Sequence, residues 1–403
     1  MKTFNNININ NNKEVINNMV CKRCGNKDPT YFYNGSKGYY CRKCVTFKRI
    51  LLQDDLNNME YDVSKDAGEY HFDYPLTKYQ LNASINTLNY LKEGQDVLLH
   101  CVCGAGKTEI VVKSISSYLS RGLKVCYAIS RREVVIELTY RFQKIFENSK
   151  VVSVYGSHHN ELSGDLIVCT THQLFRYYKT FDLLILDEVD AFPLSGNDML
   201  MNIAINSCKG NIVYSTATLN DFLKKYLKLR SYKKVSLYIR PSLKPLIEPK
   251  VIYNLNIFNI LYLIVLLKNM DNQCIIFVSS KKKCLNLYKV FKHLFSCTYV
   301  YSDLENRNDN IFRFKNKEYQ FIFSTTVLER GITIKDVNVI VLHDRKDAFD
   351  KSSMIQMIGR VGRNYKNPYG SAYILANTIN QDITNCVKEI KEANKIYEMS
   401  ILR

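Results

Sequence analysis

The stretch that decides the fold is HCVCGAGKTE, residues 100–109. Its second half has the composition of a loop that binds phosphates at the start of a helix: Gly104, Ala105, Gly106, Lys107 and Thr108. The phosphate-loop pattern G-x-x-x-x-G-K-[ST] expects a glycine where this chain has Cys101, and Cys103 follows two residues later. The stretch therefore predicts an ATP-binding loop with an unusual lining, and half of a metal or redox site is the alternative.

The flanking residues favour the ATP-binding interpretation. The apolar run DVLLHCV (96–102) before the loop is typical of a buried strand, and an amphipathic helical pattern follows it. In such a loop Lys107 reaches the β- and γ-phosphates and Thr108 holds Mg²⁺. The two cysteines are then small strand-end residues, although a thiol beside a helix N-terminus is a candidate for oxidation, and we hypothesise that oxidation of Cys103 inhibits the protein.

A second apolar run, LLILDEVD (183–190), ends in paired carboxylates. Beside a phosphate loop, Asp187 is expected to engage Mg²⁺ and Glu188 to position or deprotonate the attacking water. A solvated acidic strand end is the alternative.

Downstream, QMIGRVGR (356–363) places Arg360 and Arg363 three residues apart, which predicts that both lie on one helical face. Guanidinium groups there suit the γ-phosphate and its transition-state charge. The alternative is a basic turn.

Two C-x-x-C turns near the start of the chain predict a closed, structural Zn²⁺ site. Its ligands are Cys21, Cys24, Cys41 and Cys44. A redox pair is the rival interpretation. Lysine, arginine and tyrosine side chains are interleaved with the cysteines, and such a surface can track phosphates and stack on unpaired bases. A purely structural cap, with the rings filling its own core, stays open.

Short apolar runs alternate with amphipathic segments from about residue 76, as expected for parallel sheets covered by helices. Prolines at 241, 245 and 249 interrupt the alternation, which then restarts. We therefore predict an α/β protein. Its predicted parts are a disordered tail (1–20), a zinc-binding knuckle (21–50), a linker (51–75), a first α/β domain (76–245) and a second (250–403).

Composition points to a polyanionic partner. The chain has 403 residues and a net charge of 56 − 38 = +18, which favours nucleic acid or an anionic surface over a neutral ligand, although a generally basic surface is the simpler alternative. The longest apolar run, 257–267, is interrupted by Asn259 and is too short to span a bilayer. With no apolar signal segment and thirteen cysteines that are read as thiols, we expect a cytosolic protein.

These motifs together resemble the helicases of superfamily two over residues 76 to about 376. The resemblance implies two tandem RecA-like P-loop domains, with Gln80 reading adenine, Gly331 near the nucleotide, and Thr216 and Thr218 coupling hydrolysis to movement. It also assigns the residues that grip the nucleic-acid backbone: Arg131, Arg132, Thr171, Gln173, Thr325 and Thr326.

The knuckle before the core, GAGKTE (104–109) and DEVDAFP (187–193) are together similar to the ComFA family, the DEAD-box-like ATPases of the late competence operon in Gram-positive bacteria. The resemblance implies a motor driven by ATP and stimulated by single-stranded DNA, peripheral to the inner face of the membrane, that draws in transforming DNA. It implies two protein partners, the DNA-uptake channel protein and the ComF-operon phosphoribosyltransferase-like protein.

Two alternatives stay open. A replication-restart helicase shares the G-x-G-K-T-E loop, but its cysteine cluster lies within the second helicase domain. A nucleotide-gated DNA clamp with little turnover needs no water-activating carboxylate or arginine fingers. Only forty residues follow Arg363, so translocation is the expected activity rather than strand separation. Both a monomer and an oligomer suit this class.

Overall fold

The computed structural model describes residues 19–331 and 334–402. The predicted tail lies outside the described residues, apart from positions 19 and 20. The chain divides into two compact units. The described parts of unit 1 fall within Met1–Pro75, Ser84–Leu99 and Ile110–Val235, and those of unit 2 fall within Leu76–Ala83, His100–Glu109 and Ser236–Arg403.

The knuckle is a β-hairpin held between two cysteine turns. Strand β1 (Phe32–Gly35) pairs antiparallel with β2 (Gly38–Cys41), and Gly35 lies opposite Gly38 at the turn. The φ of Gly38 is +121°, a conformation that a side chain would strain. The hairpin therefore brings the second cysteine turn back to the first.

Residues 51–75, predicted as a linker, form hydrogen bonds with other segments of unit 1. The backbone N–H of Met59 donates to Thr180 Oγ1 at 3.0 Å, and that of Ser64 donates to Asp165 Oδ1 at 2.7 Å. Hydrogen bonds between such distant positions fix the path of the segment, so it is an ordered strap on unit 1.

The larger sheet has seven strands in the order β5-β6-β4-β7-β8-β3-β9. The four pairs among β4 to β8 are parallel, and the strands β6 and β7 are almost wholly buried. The two apolar runs quoted above, at 96–102 and 183–190, supply the strands β3 and β7 of this sheet. Its strands β3 to β9 are Asp96–Cys101, Val125–Ile129, Val151–Val154, Leu166–Thr170, Phe181–Asp187, Cys208–Thr216 and Tyr232–Leu237.

Five helices accompany these strands. Two of them begin at asparagine caps, because the side chains of Asn197 and Asn220 accept hydrogen bonds from backbone N–H groups three residues later. The helices α1 to α5 are Lys78–Lys92, Lys107–Leu119, Arg132–Ile145, Asp198–Ser207 and Asp221–Leu227.

Unit 2 contains a six-stranded sheet in the order β10-β15-β14-β11-β13-β12, and its paired strands are all parallel. The strands β10 to β15 are Lys250–Tyr253, Cys274–Phe277, Cys297–Val300, Phe321–Ser324, Asn338–His343 and Ala372–Ala376. The helices α6 to α10 are Asn256–Lys268, Lys281–Phe291, Arg307–Lys315, Lys351–Ile358 and Gln381–Ile401. The predicted α/β class is confirmed. No helix in the described part of the chain combines the length and apolarity needed to cross a membrane.

Candidate nucleotide and nucleic-acid sites

The phosphate loop joins the end of β3 to the start of α2, as the sequence predicts. Both Gly104 and Gly106 have left-handed backbones, with φ of +80° and +84°. A Cβ on Gly106 would lie 2.3 Å from the side-chain nitrogen of Gln80, so only glycine fits at that position. Lys107 and Thr108 are the first two residues of α2, where backbone N–H groups of a helix N-terminus can face an anion.

Gln80, on α1, is hydrogen-bonded to the phosphate loop. Its Nε2 donates to the carbonyl oxygen of Ala105 at 3.0 Å, and its Oε1 accepts from the N–H and the hydroxyl of Thr77, each at 3.1 Å. The side chain is 4% exposed. Contact with adenine stays a prediction for Gln80, whereas its contact with the loop is direct.

The cysteines of the loop are packed inside the protein. Cys101 is fully buried, and Cys103 is 4% exposed with its Sγ 3.2 Å from Gln356 Oε1. Within residues 19–331 and 334–402, neither belongs to a group of three or more potential metal ligands. The metal alternative for the loop therefore has no support, and oxidation of Cys103 stays a hypothesis about a buried thiol.

The predicted magnesium ligand, Asp187, ends β7 and is fixed by its neighbours. Tyr127 donates its hydroxyl to Oδ2 and Ser215 donates to Oδ1, both at 2.7 Å. The following residue, Glu188, has a left-handed backbone with φ of +54°. Such a conformation is costly for a residue with a side chain and is typical of functional sites. This backbone conformation turns the chain sharply at Glu188.

The last residue of DEVD, Asp190, binds the predicted coupling motif. Its Oδ1 lies 2.8 Å from Thr216 Oγ1, and its Oδ2 accepts from Thr218 Oγ1 at 2.8 Å. The sequence motifs predicted no role for Asp190. Its link to these threonines depends on β7 and β8 being neighbours, which the strand pattern alone does not reveal.

The prediction that Arg360 and Arg363 share a helical face is wrong. Helix α9 ends at Ile358, with Gly359 at its C-cap position, and the chain then turns. Arg360 is 2% exposed, and its Nε donates to the carbonyl oxygen of Glu329 at 3.2 Å. Arg363 is half-buried, and its Nε donates to the carbonyl oxygen of Gly359 at 2.9 Å. The two arginines therefore occupy different environments within unit 2.

The segment after β13 holds the other predicted contacts of unit 2. Thr325 is half-buried and Thr326 is exposed, at the start of a 3-10 turn. Arg330 forms a buried ion pair with Glu329, and Gly331 has a left-handed φ of +79°. The next residue of the predicted motif, position 332, lies outside the described residues.

The predicted nucleic-acid contacts of unit 1 differ in exposure. Arg132 is exposed, with its guanidinium 5.1 Å from the ring centre of Tyr155, and Arg131 is half-buried. Thr171 is fully buried, and Gln173 is 9% exposed and accepts from Arg176. Among these four side chains, Arg132 is thus the exposed one.

The four cysteines of the knuckle have the geometry of a zinc site. The Sγ atoms of Cys21 and Cys44 are 3.7 Å apart, and those of Cys24 and Cys41 are 3.8 Å apart. Four Zn–S bonds of about 2.3 Å in a tetrahedron require S···S distances of about 3.8 Å, whereas a disulfide requires about 2.05 Å. Hydrogen bonds from Cys24 and the other two thiols hold the pKa of Cys21 well below its usual value. These residues fit a structural Zn²⁺.

A buried arginine supports the same site. Arg23 is 4% exposed, and its Nη2 lies 3.2 Å from Cys44 Sγ, where a cation stabilises a thiolate ligand. The guanidinium also donates to the carbonyl oxygens of Phe47 and Lys48, both at 2.8 Å. Zinc ligands are usually held in this way by a second layer of hydrogen bonds.

The knuckle packs against the rest of unit 1, at the turn predicted to touch nucleic acid. The ring of Phe47 stacks on Phe175 with 5.2 Å between centres and lies 6.2 Å from His172. On the other side, Asn206 donates to the carbonyl oxygen of Arg23 at 3.1 Å. The sequence placed the cysteines in a separate unit, but in the fold they share a buried core with unit 1.

We predict that Cys21→Ala combined with Cys24→Ala removes the metal. Half of the ligand set is lost, so bound zinc should fall from about one per chain to near zero. DNA affinity should fall as well, because the basic surface of the knuckle loses its support. Metal analysis of the purified protein checks the first result. Cys297→Ala, a buried cysteine of unit 2, is the control and should keep its zinc; unchanged zinc in the double variant contradicts the site.

Comparison with known families identifies the class of protein. Residues 77–226 match the DEAD/DEAH box helicase family, and residues 256–365 match the helicase conserved C-terminal domain. The chain is therefore an ATP-dependent enzyme of the helicase class, an ATPase of superfamily two, and the use of ATP and Mg²⁺ follows from that class.

Two curated relatives narrow the class. The chain is 34% identical over 400 residues to Competence protein ComFA of Streptococcus pneumoniae, covering 94% of this chain and 90% of that protein. It is 29% identical over 397 residues to Competence protein ComFA of Bacillus subtilis, covering 93% and 86%. The chain belongs to the ComFA family, as the motifs predicted.

A solved structure shares the fold. Dbp5 of Saccharomyces cerevisiae, bound to RNA and ADP BeF3, aligns with a TM-score of 0.57 and 18% identity over 79% of this chain and 91% of that chain. At this identity the likeness is one of fold, and it confirms the predicted helicase-type α/β architecture.

Proposed function

We propose that this ComFA-family ATPase is a translocase that moves along single-stranded DNA and draws transforming DNA into the cytosol during natural competence. The observation that carries the proposal is the docking of the knuckle on the turn Thr171–Arg176 of unit 1. A basic, aromatic module then lies beside a segment that the helicase resemblance assigns to nucleic acid.

The nucleotide chemistry is assigned to the residues of the two predicted motifs. Lys107 and the N–H groups of the loop bind the phosphates, and Thr108 and Asp187 hold the magnesium ion. The ion neutralises phosphate charge when it is bound. Glu188 orients the attacking water and accepts its proton, and Arg360 and Arg363 are proposed to stabilise the transferred phosphoryl group.

Movement is proposed to start at the acidic motif. Asp190 follows Glu188 by two residues and is hydrogen bonded to both coupling threonines, Thr216 and Thr218. A shift of the acidic turn on hydrolysis then moves β8 directly, because the carboxylate links the two segments within unit 1.

The exposed face of the knuckle supports a single-stranded partner. Tyr31 and Tyr33 are 41% and 50% exposed. The ammonium group of Lys43 lies 5.5 Å from the ring centre of Tyr31, and the guanidinium of Arg42 lies 5.6 Å from that of Tyr33. Rings that are open on one side and flanked by cations can stack on unpaired bases while the cations contact phosphates.

The remaining assignments follow the family relation. We propose the domain boundaries predicted above, a position at the cytosolic face of the membrane, and contacts with the DNA-uptake channel protein and the ComF-operon phosphoribosyltransferase-like protein. Both relatives are competence proteins, which favours this role over that of a replication-restart helicase.

The test is ATP hydrolysis by the full chain, measured as phosphate release with single-stranded DNA, duplex DNA, RNA or no nucleic acid. We expect single-stranded DNA to raise the rate about fivefold or more, because strand binding and hydrolysis are coupled. Binding of single-stranded DNA without any rise in turnover would instead assign the protein as a nucleotide-gated clamp. A response to RNA alone would contradict the proposed substrate.

A further inference from the structure

A buried arginine outside both matched family segments connects the phosphate loop with the arginine turn. Arg240 follows β9 and is 3% exposed. Its Nε donates to the carbonyl oxygen of Cys103 at 2.8 Å, its Nη1 to that of Val361 at 2.8 Å, and its Nη2 to that of Gly359 at 3.0 Å. All of these residues belong to unit 2.

The acceptors are backbone carbonyls, so the charge of Arg240 is balanced by dipoles. Burial, together with the positive charge of Arg363, lowers the pKa of Arg240 to about 10, which leaves the guanidinium protonated at neutral pH. Burying a cation without a carboxylate costs stability unless every polar contact is well made. The planar fork of arginine meets that condition here, because it reaches three carbonyls in fixed directions.

The two segments that Arg240 joins are in close contact. A Cβ on Gly359 would lie 2.5 Å from the Cβ of Cys103, and Cys103 Sγ is 3.2 Å from Gln356 Oε1. A Cβ on Gly104 would lie 3.5 Å from Arg240 Nε and 3.7 Å from the Cγ of Arg363. The stem of Arg363 and the guanidinium of Arg240 therefore both run beside the phosphate loop at Gly104.

We propose that Arg240 is a positioning residue: it fixes the turn at 359–363 against the phosphate loop and so sets where the guanidinium of Arg363 stands during ATP hydrolysis. The inference rests on the proposed role of Arg363 in stabilising the transferred phosphoryl group. Arg240 acts through backbone carbonyls and does not itself contact the nucleotide.

The test is steady-state ATP hydrolysis by Arg240→Gln and Arg240→Lys. In both variants we expect kcat to fall about tenfold or more, because a small displacement of a group that stabilises the transition state is costly. The KM for ATP should change less than about threefold, because the loop itself is intact. Lysine keeps the charge but cannot reach three carbonyls, so its failure to rescue separates geometry from charge.

The decisive measurement is a double-mutant cycle with Arg363→Ala. If Arg240 acts through Arg363, the double variant Arg240→Gln with Arg363→Ala should have the kcat of Arg363→Ala alone. Independent, multiplied losses would overturn the inference, as would a normal kcat in Arg240→Gln. A normal kcat in Arg363→Ala would instead remove the proposed role of Arg363 itself.

A matched control separates loss of stability from misplacement. Arg230 of unit 1 is half-buried and ion-paired with Asp96, with Nη2 3.1 Å from Oδ1, and it donates to the carbonyl oxygen of Gly210 at 2.7 Å. Arg230→Gln should lower the melting temperature but leave kcat unchanged at temperatures where the protein is folded. A fall in kcat equal to that of Arg240→Gln would mean that any loss of a buried arginine has this effect, and the inference would fail.

Discussion

Lys107→Ala is expected to abolish ATP hydrolysis, with kcat reduced roughly a thousandfold or more. The lysine begins α2 directly after the left-handed Gly106. We propose that its ammonium group and the first N–H groups of the helix bind the same phosphates. Alanine leaves the loop backbone in place and removes the ammonium group proposed to contact the γ-phosphate. Phosphate release with saturating single-stranded DNA measures the effect.

A second lysine of the same helix provides the control. Lys113 lies six residues further along α2, which carries it to a different face, and it is half-buried. Lys113→Ala should hydrolyse ATP at the wild-type rate. If folded Lys107→Ala also hydrolysed ATP at the wild-type rate, this loop would not be the ATP-binding loop. The cysteine at position 101, in place of the usual glycine, would then indicate that the chain binds nucleotide elsewhere.

Glu188→Gln is expected to bind ATP and retain it without hydrolysis. The amide has nearly the shape of the carboxylate, so binding survives, but it cannot accept the proton of the attacking water. The rate of hydrolysis should fall about a hundredfold or more, since general-base catalysis contributes on that scale. Retention of radiolabelled ATP on a filter, followed over time after a chase with unlabelled ATP, reports the trapped complex.

The matched control is an exposed glutamate of unit 1, Glu137 on α3. Glu137→Gln should turn over ATP normally and retain none after the chase. Rapid loss of ATP from Glu188→Gln, or turnover at the wild-type rate, would show that this carboxylate does not activate water. Asp187 and Asp190 would then be the remaining acidic side chains of the motif.

Local sequence patterns predicted the parts of the fold that depend on neighbouring residues. The runs 96–102 and 183–188 form buried strands because both of their faces are apolar. The glycines and the lysine of the phosphate loop predicted the turn between β3 and α2. The prediction that the two arginines share a helical face was wrong because it also used only the spacing of neighbouring residues. Three-residue spacing suits a helix, but α9 ends at Ile358, before either arginine is reached.

The features that the sequence did not predict are contacts between distant segments. The knuckle meets unit 1 through Phe47 and Phe175, which are far apart in the chain, and no periodic pattern marks that pairing. Arg240 lies in a proline-rich stretch that interrupts the predicted pattern, and its acceptors are backbone carbonyl oxygens, which every residue type has. Only the fold brings them together.

The bond between Gln80 and the carbonyl of Ala105 has a consequence for nucleotide choice. An adenine read by this carboxamide would exchange one hydrogen bond of the side chain for another, so the net gain in binding free energy would be small. A base with the wrong donor and acceptor pattern would displace the carboxamide from Ala105 without replacing that hydrogen bond, and would leave a buried amide unsatisfied. Recognition of this kind works by penalty: it rejects other bases while adding little to the affinity for the right one.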